Sequence, residues 1–380
     1  MKKLFFLILL FYVSFGDFCF GITPTFSNVN YVGDGNSKHL LDVYVPAGVV
    51  TPTKTIVYIH GGGWQSGSKS KTMDYCQKLY DAGYIVVGVD YRLSSDSIFP
   101  AQIFDCKTAI RFLKKNADTY KIDSCNIGVI GSSAGGHLAT LLGTSIGESS
   151  LEGLHLGRLG ATSKVHAVAD FFGPTDFLKM DSFPSPLCKN PMIHDIITSA
   201  ESRLLGCLIS SCPEKVRQAN PITYINGNEP PFMIHHGNAD CLVSIHQSII
   251  LHDSLIAHNQ ISSLTIYPDG GHGSFVNTSV LDSMEIFFNN TLVNKCNETG
   301  LTELTEKFSI NIFPNPVHDI AYIQSELQID KNEIFNLTGD RLIVTSTGNQ
   351  VNVSQLIKGL YIIQVNTADG LIAMKRLIKI

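Results

Sequence analysis

The chain predicts an α/β architecture, a mainly parallel sheet covered by helices, with a small all-β sandwich after it. Three observations carry that reading. From Phe26 to about Val293, runs rich in β-branched and aromatic residues alternate with helical patterns. Inside that stretch the sequence Gly131-Ser132-Ser133-Ala134-Gly135 follows directly on an apolar run, which suits a sharp strand-to-helix turn. After Asn297 the helical patterns stop and short strand-like runs take over.

Taken in order, HLLDVYVP (His39 to Pro46) and TIVYIH (Thr55 to His60) read as strands. YIVVGVDYR (Tyr84 to Arg92) is nearly all apolar, as befits a central parallel strand buried on both faces. Asp105 to Ala117 reads as an amphipathic helix whose buried stripe is Ala109, Ile110, Phe112 and Leu113. NIGVIG is the next strand, followed by a helix through Leu142; HAVADFFG, PPFMIHHG and SSLTIYPD supply later strands. Between Pro174 and about Tyr224 the pattern gives way to Pro, Ser and Cys with short helical pieces, readable as a lid or as a plain surface excursion. Beyond the polar connector, SINIFPNPV, AYIQS, IFNLTGDRLI, GLYIIQVNTADG and LIAMKRLIKI form the expected small sandwich.

The 380 residues suffice for one large domain and a smaller one. Lys2 and Lys3 precede an apolar run, Leu4 to Phe15, with small residues toward Gly21, the pattern of a secretory signal peptide over residues 1–21. No other stretch is apolar enough to span a membrane. A net charge of −5 without long blocks of like charge argues against a nucleic-acid partner. Export would permit disulfides. Cys207 with Cys212 is the favoured pair; Cys188 with Cys241 could form another, and spacing alone leaves the connectivity open. No His/Cys cluster has zinc-site spacing, so no metal or organic cofactor is expected.

The chemistry begins at the paired serines. A nucleophile elbow holds its central residue at positive φ, and strand and helix crowd each other two residues before and two after it. Centred on Ser133, those positions are Gly131 and Gly135; centred on Ser132 they are Ile130 and Ala134, and the isoleucine would clash. Ser133 is therefore the candidate nucleophile. HGGGW (His60 to Trp64) sits directly after a strand, where bare backbone N–H groups can approach a developing oxyanion. Gly62, Gly63 and the Ala134 N–H are the expected donors, with His60 bracing the loop.

An acid should follow a later strand, and Asp240 stands in a polar turn after PPFMIHHG. The base should come last, and His272 lies on the glycine-flanked loop YPDGGHGSF. Among rival histidines, His235 and His236 end a strand and read as packed or hydrogen-bonded. His246, His252 and His258 fall on a helix and read as solvated. Asp269 is the rival acid, but it lies too close along the chain to His272 to orient it. The order Ser133, Asp240, His272 matches the α/β-hydrolase arrangement rather than the two protease orders.

With these motifs in view, residues 26–293 resemble the α/β-hydrolase esterases of the acetylxylan/feruloyl esterase and hormone-sensitive-lipase-like group. The resemblance rests on HGGGW, VDYRL, GVIGSSAGGHLA, FFGPTDF, HGNADCLVS and GGHGSF. The lipase-like branch has aspartate before the nucleophile; Ser132 stands there in this chain, which leans toward the acetylxylan/feruloyl branch. The end of the chain, FPNPV to KRLIKI, resembles a type IX secretion sorting domain, with a carbohydrate-binding module as the alternative.

The resemblance implies a secreted or surface serine carboxylic-ester hydrolase, exported through the periplasm. Its partners would be a small-molecule or polysaccharide ester and, through the C-terminal domain, the type IX secretion machinery. The expected segments are a leader over 1–21, a hydrolase domain over 22–297, a linker over 298–306 and a sandwich over 307–380. A general short-chain or lipase-like esterase, a serine peptidase, an arylformamidase-like amidase and a silent binding protein are the competing readings.

Overall fold

The computed structural model describes residues 22–157, 160–294, 310–325, 328–336, 341–342, 344–367 and 372–380. The expected leader over 1–21 and linker over 298–306 lie outside the described residues. Eight strands make the main sheet: β1 (Phe26–Asn30), β2 (Leu40–Tyr44), β3 (Thr53–Ile59), β4 (Ile85–Val89), β5 (Ile122–Ser132), β6 (Ala167–Phe171), β7 (Phe232–Gly237) and β8 (Ser262–Tyr267). Their order is β1-β2-β4-β3-β5-β6-β7-β8. The pairs β1/β2 and β2/β4 are antiparallel; every later pair is parallel.

Five helices of ten or more residues cover the sheet among the described residues: α1 (Thr72–Asp81), α2 (Ala101–Lys115), α3 (Ala134–Thr144), α4 (His246–Ala257) and α5 (Thr278–Thr291). Because side chains alternate across a strand, β3 serves both faces. Val57 and Ile59 pack with α2, α3 and α4 through Ile110, Leu138 and Leu251. Ile56 and Tyr58 pack with α1 and α5 through Leu79, Met284 and Phe288. Strands buried on both sides carry no alternating pattern, which is why β4 reads as IVVGV.

Helix α2 is less amphipathic than its sequence suggests. Ala109, Ile110, Phe112 and Leu113 are buried as expected, but so are Asp105, Lys107 and Arg111. Their charges are paired. Lys107 Nζ lies 2.8 Å from Glu152 Oε1, Arg111 Nη1 2.8 Å from Glu152 Oε2, and Asp105 forks to Arg92. Buried charges persist only where partners replace the lost water, and those partners lie far along the chain.

The chain leaves β3, forms β4 on one side, then crosses back through α2 to form β5 on the other. Strand order reverses there, so a crevice opens at the carboxyl ends of β3 and β5. The glycine loop follows β3 and the paired serines close β5.

The C-terminal region is all antiparallel. One four-stranded sheet holds Ile310–Phe313, Ile320–Ser325, Thr345–Thr347 and Gln350–Asn352; the other holds Ile329–Phe335, Arg341–Leu342, Gly359–Thr367 and Ile372–Lys379. Ile323 and Val351 from the first share a core with Ile334, Ile363 and Leu377 from the second, a sandwich in which the inward face of each strand is apolar.

Candidate functional site

Ser133 sits between β5 and α3 with φ 54° and ψ −123°. That conformation is costly for a residue with a Cβ and survives only where its surroundings enforce it. Here backbone packing does so. A Cβ on Gly131 would collide with the Gly135 carbonyl, and one on Gly135 would meet the Ile59 carbonyl and lie 2.6 Å from the His60 carbonyl oxygen. The Ser133 N–H donates to the Phe171 carbonyl, 2.8 Å away, which ties the turn to β6.

Around the Ser133 hydroxyl the geometry is continuous. His272 Nε2 lies 3.0 Å from Ser133 Oγ, and His272 Nδ1 lies 2.7 Å from Asp240 Oδ2. Asp240 is fully buried, and the Leu242 and Val243 N–H groups donate to its other oxygen at 2.8 and 3.0 Å. Burial alone would raise its pKa, but hydrogen bonds from His236 and His272 and their nearby positive charge hold it far below the usual carboxylate range. Asp240 is thus an anion that can fix an imidazole and steady its positive charge.

The acid turn and the histidine loop are laced to each other. Asn238 N–H donates to Tyr267, Ala239 N–H to Gly270, and Asp269 N–H to the Asn238 side chain. Asp269 is itself exposed, and its only described hydrogen bond is that backbone one to Asn238. His236 is buried against Ser248, the Val243 carbonyl and Asp240. His235 bonds Tyr267, and burial lowers its pKa to about 4. His246 and His252 are half-buried rather than solvated, the first against Phe183 and the second 2.9 Å from Ser262 Oγ; His258 is exposed.

In the loop after β3, Gly62 and Gly63 have φ 112° and 58°, conformations that favour glycine. The N–H groups of Gly62, Gly63 and Ala134 donate to no backbone or side-chain acceptor among the described residues. Gly63 and Ala134 line one cavity of about 70 Å³ with Ser133. Gly62 lies on the wall of a second cavity, about 290 Å³, which also receives Ser132 and Tyr58. Ser132 Oγ lies 3.2 Å from the Tyr58 hydroxyl, so the two adjacent serines serve different spaces. His60 is buried, stacked on Tyr91 at 4.4 Å, and its Nδ1 lies 2.8 Å from the Gly61 carbonyl oxygen. Burial lowers its pKa to about 4, leaving a neutral strut for the loop.

Three residues around the site were not singled out in the sequence. Phe172, at φ 47°, sets its ring edge-on to His272 at 4.5 Å and buries that side of the imidazole. His194 and Glu201, from the excursion after Pro174, stand in the wall of the smaller cavity. Phe172 lies in the FFGPTDF motif but was given no role there, and His194 and Glu201 sit in no motif.

The excursion is anchored to the acid turn. Disulfides join Cys188 to Cys241 and Cys207 to Cys212. Met192 N–H donates to the Cys241 carbonyl, Ile245 N–H to Ser185, and the Ser244 hydroxyl to the Phe183 carbonyl. No helix among the described residues is long and apolar enough to cross a membrane.

Comparison with known proteins agrees with this architecture. Residues 41–255 match the BD-FAE family, and residues 311–380 match the secretion system C-terminal sorting domain, which marks the chain for export by type IX secretion to the cell surface or beyond. Esterase LipC of Mycobacterium tuberculosis is 29% identical over 238 residues, 62% of this chain and 56% of its own. The probable carboxylic ester hydrolase LipM of that organism is 27% identical over 223 residues, 58% and 49% of the two chains. The chain spans about half the length of the curated relatives it matches. A solved bifunctional GH43-CE protein of Bacteroides eggerthii shares 34% identity with a TM-score of 0.64, over 70% of this chain and 35% of that one. A truncated carbohydrate esterase from gut microbiota shares 32% with a TM-score of 0.62, over 70% of this chain and 95% of that one. An α/β-hydrolase sheet, an elbow at the end of its fifth strand and these matches together place the chain in the BD-FAE family, with a secretion sorting domain at its end.

Proposed function

We propose that the protein is an exported serine carboxylic-ester hydrolase that removes short acyl groups, acetyl foremost, from plant polysaccharide. The observation that carries the reading is the hydrogen-bonded chain from Ser133 through His272 to Asp240, with Gly63 and Ala134, whose N–H groups are unbonded, on the wall of the cavity that Ser133 lines. His272 Nε2 takes the Ser133 proton as Oγ attacks the ester carbonyl. Asp240 holds the imidazole in the needed tautomer and steadies the imidazolium. The N–H groups of Gly62, Gly63 and Ala134 stabilise the tetrahedral oxyanion. His272 then hands its proton to the leaving alcohol, and water repeats the sequence to release the acid.

The substrate class draws on two supports. Relatives of known structure are named carbohydrate esterases, and the sorting domain implies delivery to where polymer is met. Between acetyl and feruloyl esters, the cavity beside Ser133 favours acetyl: at about 70 Å³ it is far below the roughly 300–1,000 Å³ that aromatic, drug-sized ligands occupy. Residues 22–297 are the proposed hydrolase unit, 1–21 the leader, 298–306 the linker and 307–380 the sorting unit.

A fluorophosphonate probe and an ester panel test this. The probe should label Ser133 and aryl acetate should turn over. His272→Ala should abolish labelling, and Asp240→Asn should fold yet lose about 10⁴-fold in kcat through the wrong tautomer. Labelling that survives His272→Ala, or greater damage from Asp269→Asn than from Asp240→Asn, overturns the assignment. A preference for feruloyl over acetyl esters would overturn the substrate reading alone.

A further inference from the structure

One short turn touches two members of the triad. At the end of β6 the chain runs Asp170-Phe171-Phe172-Gly173. The Phe171 carbonyl accepts the Ser133 N–H at 2.8 Å, and the Phe172 ring centre lies 4.5 Å from that of His272. The Phe172 N–H donates to the His235 carbonyl at 2.9 Å, on the strand that leads into the Asp240 turn. These four residues thus stand between the nucleophile and its base.

The hydrogen bond to Asp240 does not hold the imidazole by itself. It fixes Nδ1 at 2.7 Å but leaves the ring free to swing about that bond, which would carry Nε2 away from Ser133. The Phe172 ring blocks the swing on its side. It also lies under the histidine loop, since a Cβ on Gly273 would come within 3.1 Å of Phe172 Cζ. The contact requires Phe172 at φ 47°, a conformation costly for a bulky side chain that something else must hold.

Asp170 supplies that fastening. Its side chain is fully buried, and Oδ1 accepts the Gly173 N–H at 3.1 Å, closing the turn across Phe171 and Phe172. A Cβ on Gly136 or on Gly173 would run into the same oxygen, so the turn sits flush against the start of α3. Its other oxygen, Oδ2, is buried without a hydrogen-bond partner. A buried carboxyl left half-satisfied costs stability, so core packing does not account for it. We infer that Asp170 is a positioning residue: its bond to the Gly173 N–H holds Phe172 against His272, and so keeps Nε2 in line with Ser133 Oγ. The inference rests on the serine-esterase reading above.

Hydrolysis of aryl acetate by variants of the full-length protein tests this, with thermal unfolding to show that each is folded. Asp170→Leu keeps the branched shape but cannot accept a hydrogen bond. Its kcat should fall by about 10- to 100-fold, the scale of a misplacement of about 1 Å, with KM nearly unchanged. Asp170→Asn restores an acceptor for the Gly173 N–H and should bring kcat back to within about threefold of wild type. Phe172→Ala should lose kcat on the scale of Asp170→Leu. The two must also act as one unit: once Phe172→Ala is present, adding Asp170→Leu should cost less than about threefold more. Losses that multiply in the double variant overturn the inference, as does a loss confined to KM or an Asp170→Asn variant as impaired as Asp170→Leu. If Asp170→Leu does not fold, Asp170→Ala replaces it; failure of both to fold makes the carboxyl a folding determinant and overturns the inference too. A wild-type protein that hydrolyses no ester overturns the esterase reading, and this inference falls with it.

Discussion

The elbow at Ser133 and the excursion from Pro174 to Tyr224 face each other across one small cavity, and opposite means hold them in place. The elbow is fixed by neighbours in sequence. Gly131 and Gly135 let strand and helix backbones touch, and Ser133 takes φ 54° because nothing else fits between them. The excursion is a chain of short helical pieces with many apolar side chains exposed, among them Phe183, Leu187, Ile193 and Ile197. Its order comes from long-range ties: a disulfide to Cys241 and backbone bonds to the acid turn. The elbow is thus held by local strain, and the opposite wall of the cavity by distant cross-links.

The largest expected effect tests the local side of that contrast. Ser133→Ala should lower kcat by about 10⁴-fold or more, by analogy with other triads. Ser132→Ala should keep most of the activity, since its hydroxyl bonds Tyr58 in the other cavity. Steady-state kinetics with aryl acetate and mass spectrometry of the labelled peptide read both. Equal losses would mean that backbone strain does not choose the nucleophile.

A smaller effect tests the long-range side. The Cys188–Cys241 bridge closes 53 residues, worth about 4 kcal/mol in the chain-entropy account, whereas Cys207–Cys212 closes 5, worth about 2 kcal/mol. Replacing the first pair by serines should lower stability in denaturant by up to that amount and reduce kcat as well, because Cys241 follows Asp240 directly. Removing the second pair should cost less stability and leave kcat nearly unchanged. If the two double variants behave alike in kcat, the excursion is not anchored through the acid turn.

The last effect, read in stability against pH and not in catalysis, lies beneath the elbow. Burial pushes the pKa of Asp170, at the end of β6, up to about 7, although one hydrogen bond from the Gly173 N–H opposes the shift. The folded protein then keeps a proton that the unfolded chain releases near 3.8. Stability contributed by this group falls as pH rises from about 4 to about 7, with a slope of at most about 1.4 kcal/mol per pH unit. Asp240 acts in the opposite sense: its depressed pKa gives stability that is lost only in strong acid, as pH falls through the folded value. Asp170→Asn should flatten the decline between pH 4 and 7 in thermal unfolding measured across pH. An unchanged profile would show that the carboxyl is ionised in the fold.

By itself the sequence determined the parts whose cause is local. Alternating apolar runs specify the strands, and the glycine spacing around Ser133 singles out one serine of two. HGGGW after a strand marks a loop of open N–H groups, because each of these depends on residues within a few positions of one another. The sandwich after residue 310 is legible for the same reason. Tertiary structure alone decided what depends on distant partners. The charges of α2 look like a solvated face until Lys107 and Arg111 are seen to pair with Glu152, and Asp105 with Arg92, inside the protein. Phe172 against His272, His236 behind Asp240, and the choice of Cys188 for Cys241 follow from no spacing. Nor does the meeting of Trp64 with His194 and Glu201, from two segments far apart in the chain, in the wall of the smaller cavity. Only the folded sheet brings such groups within hydrogen-bonding range, and burial then decides which of them carry charge.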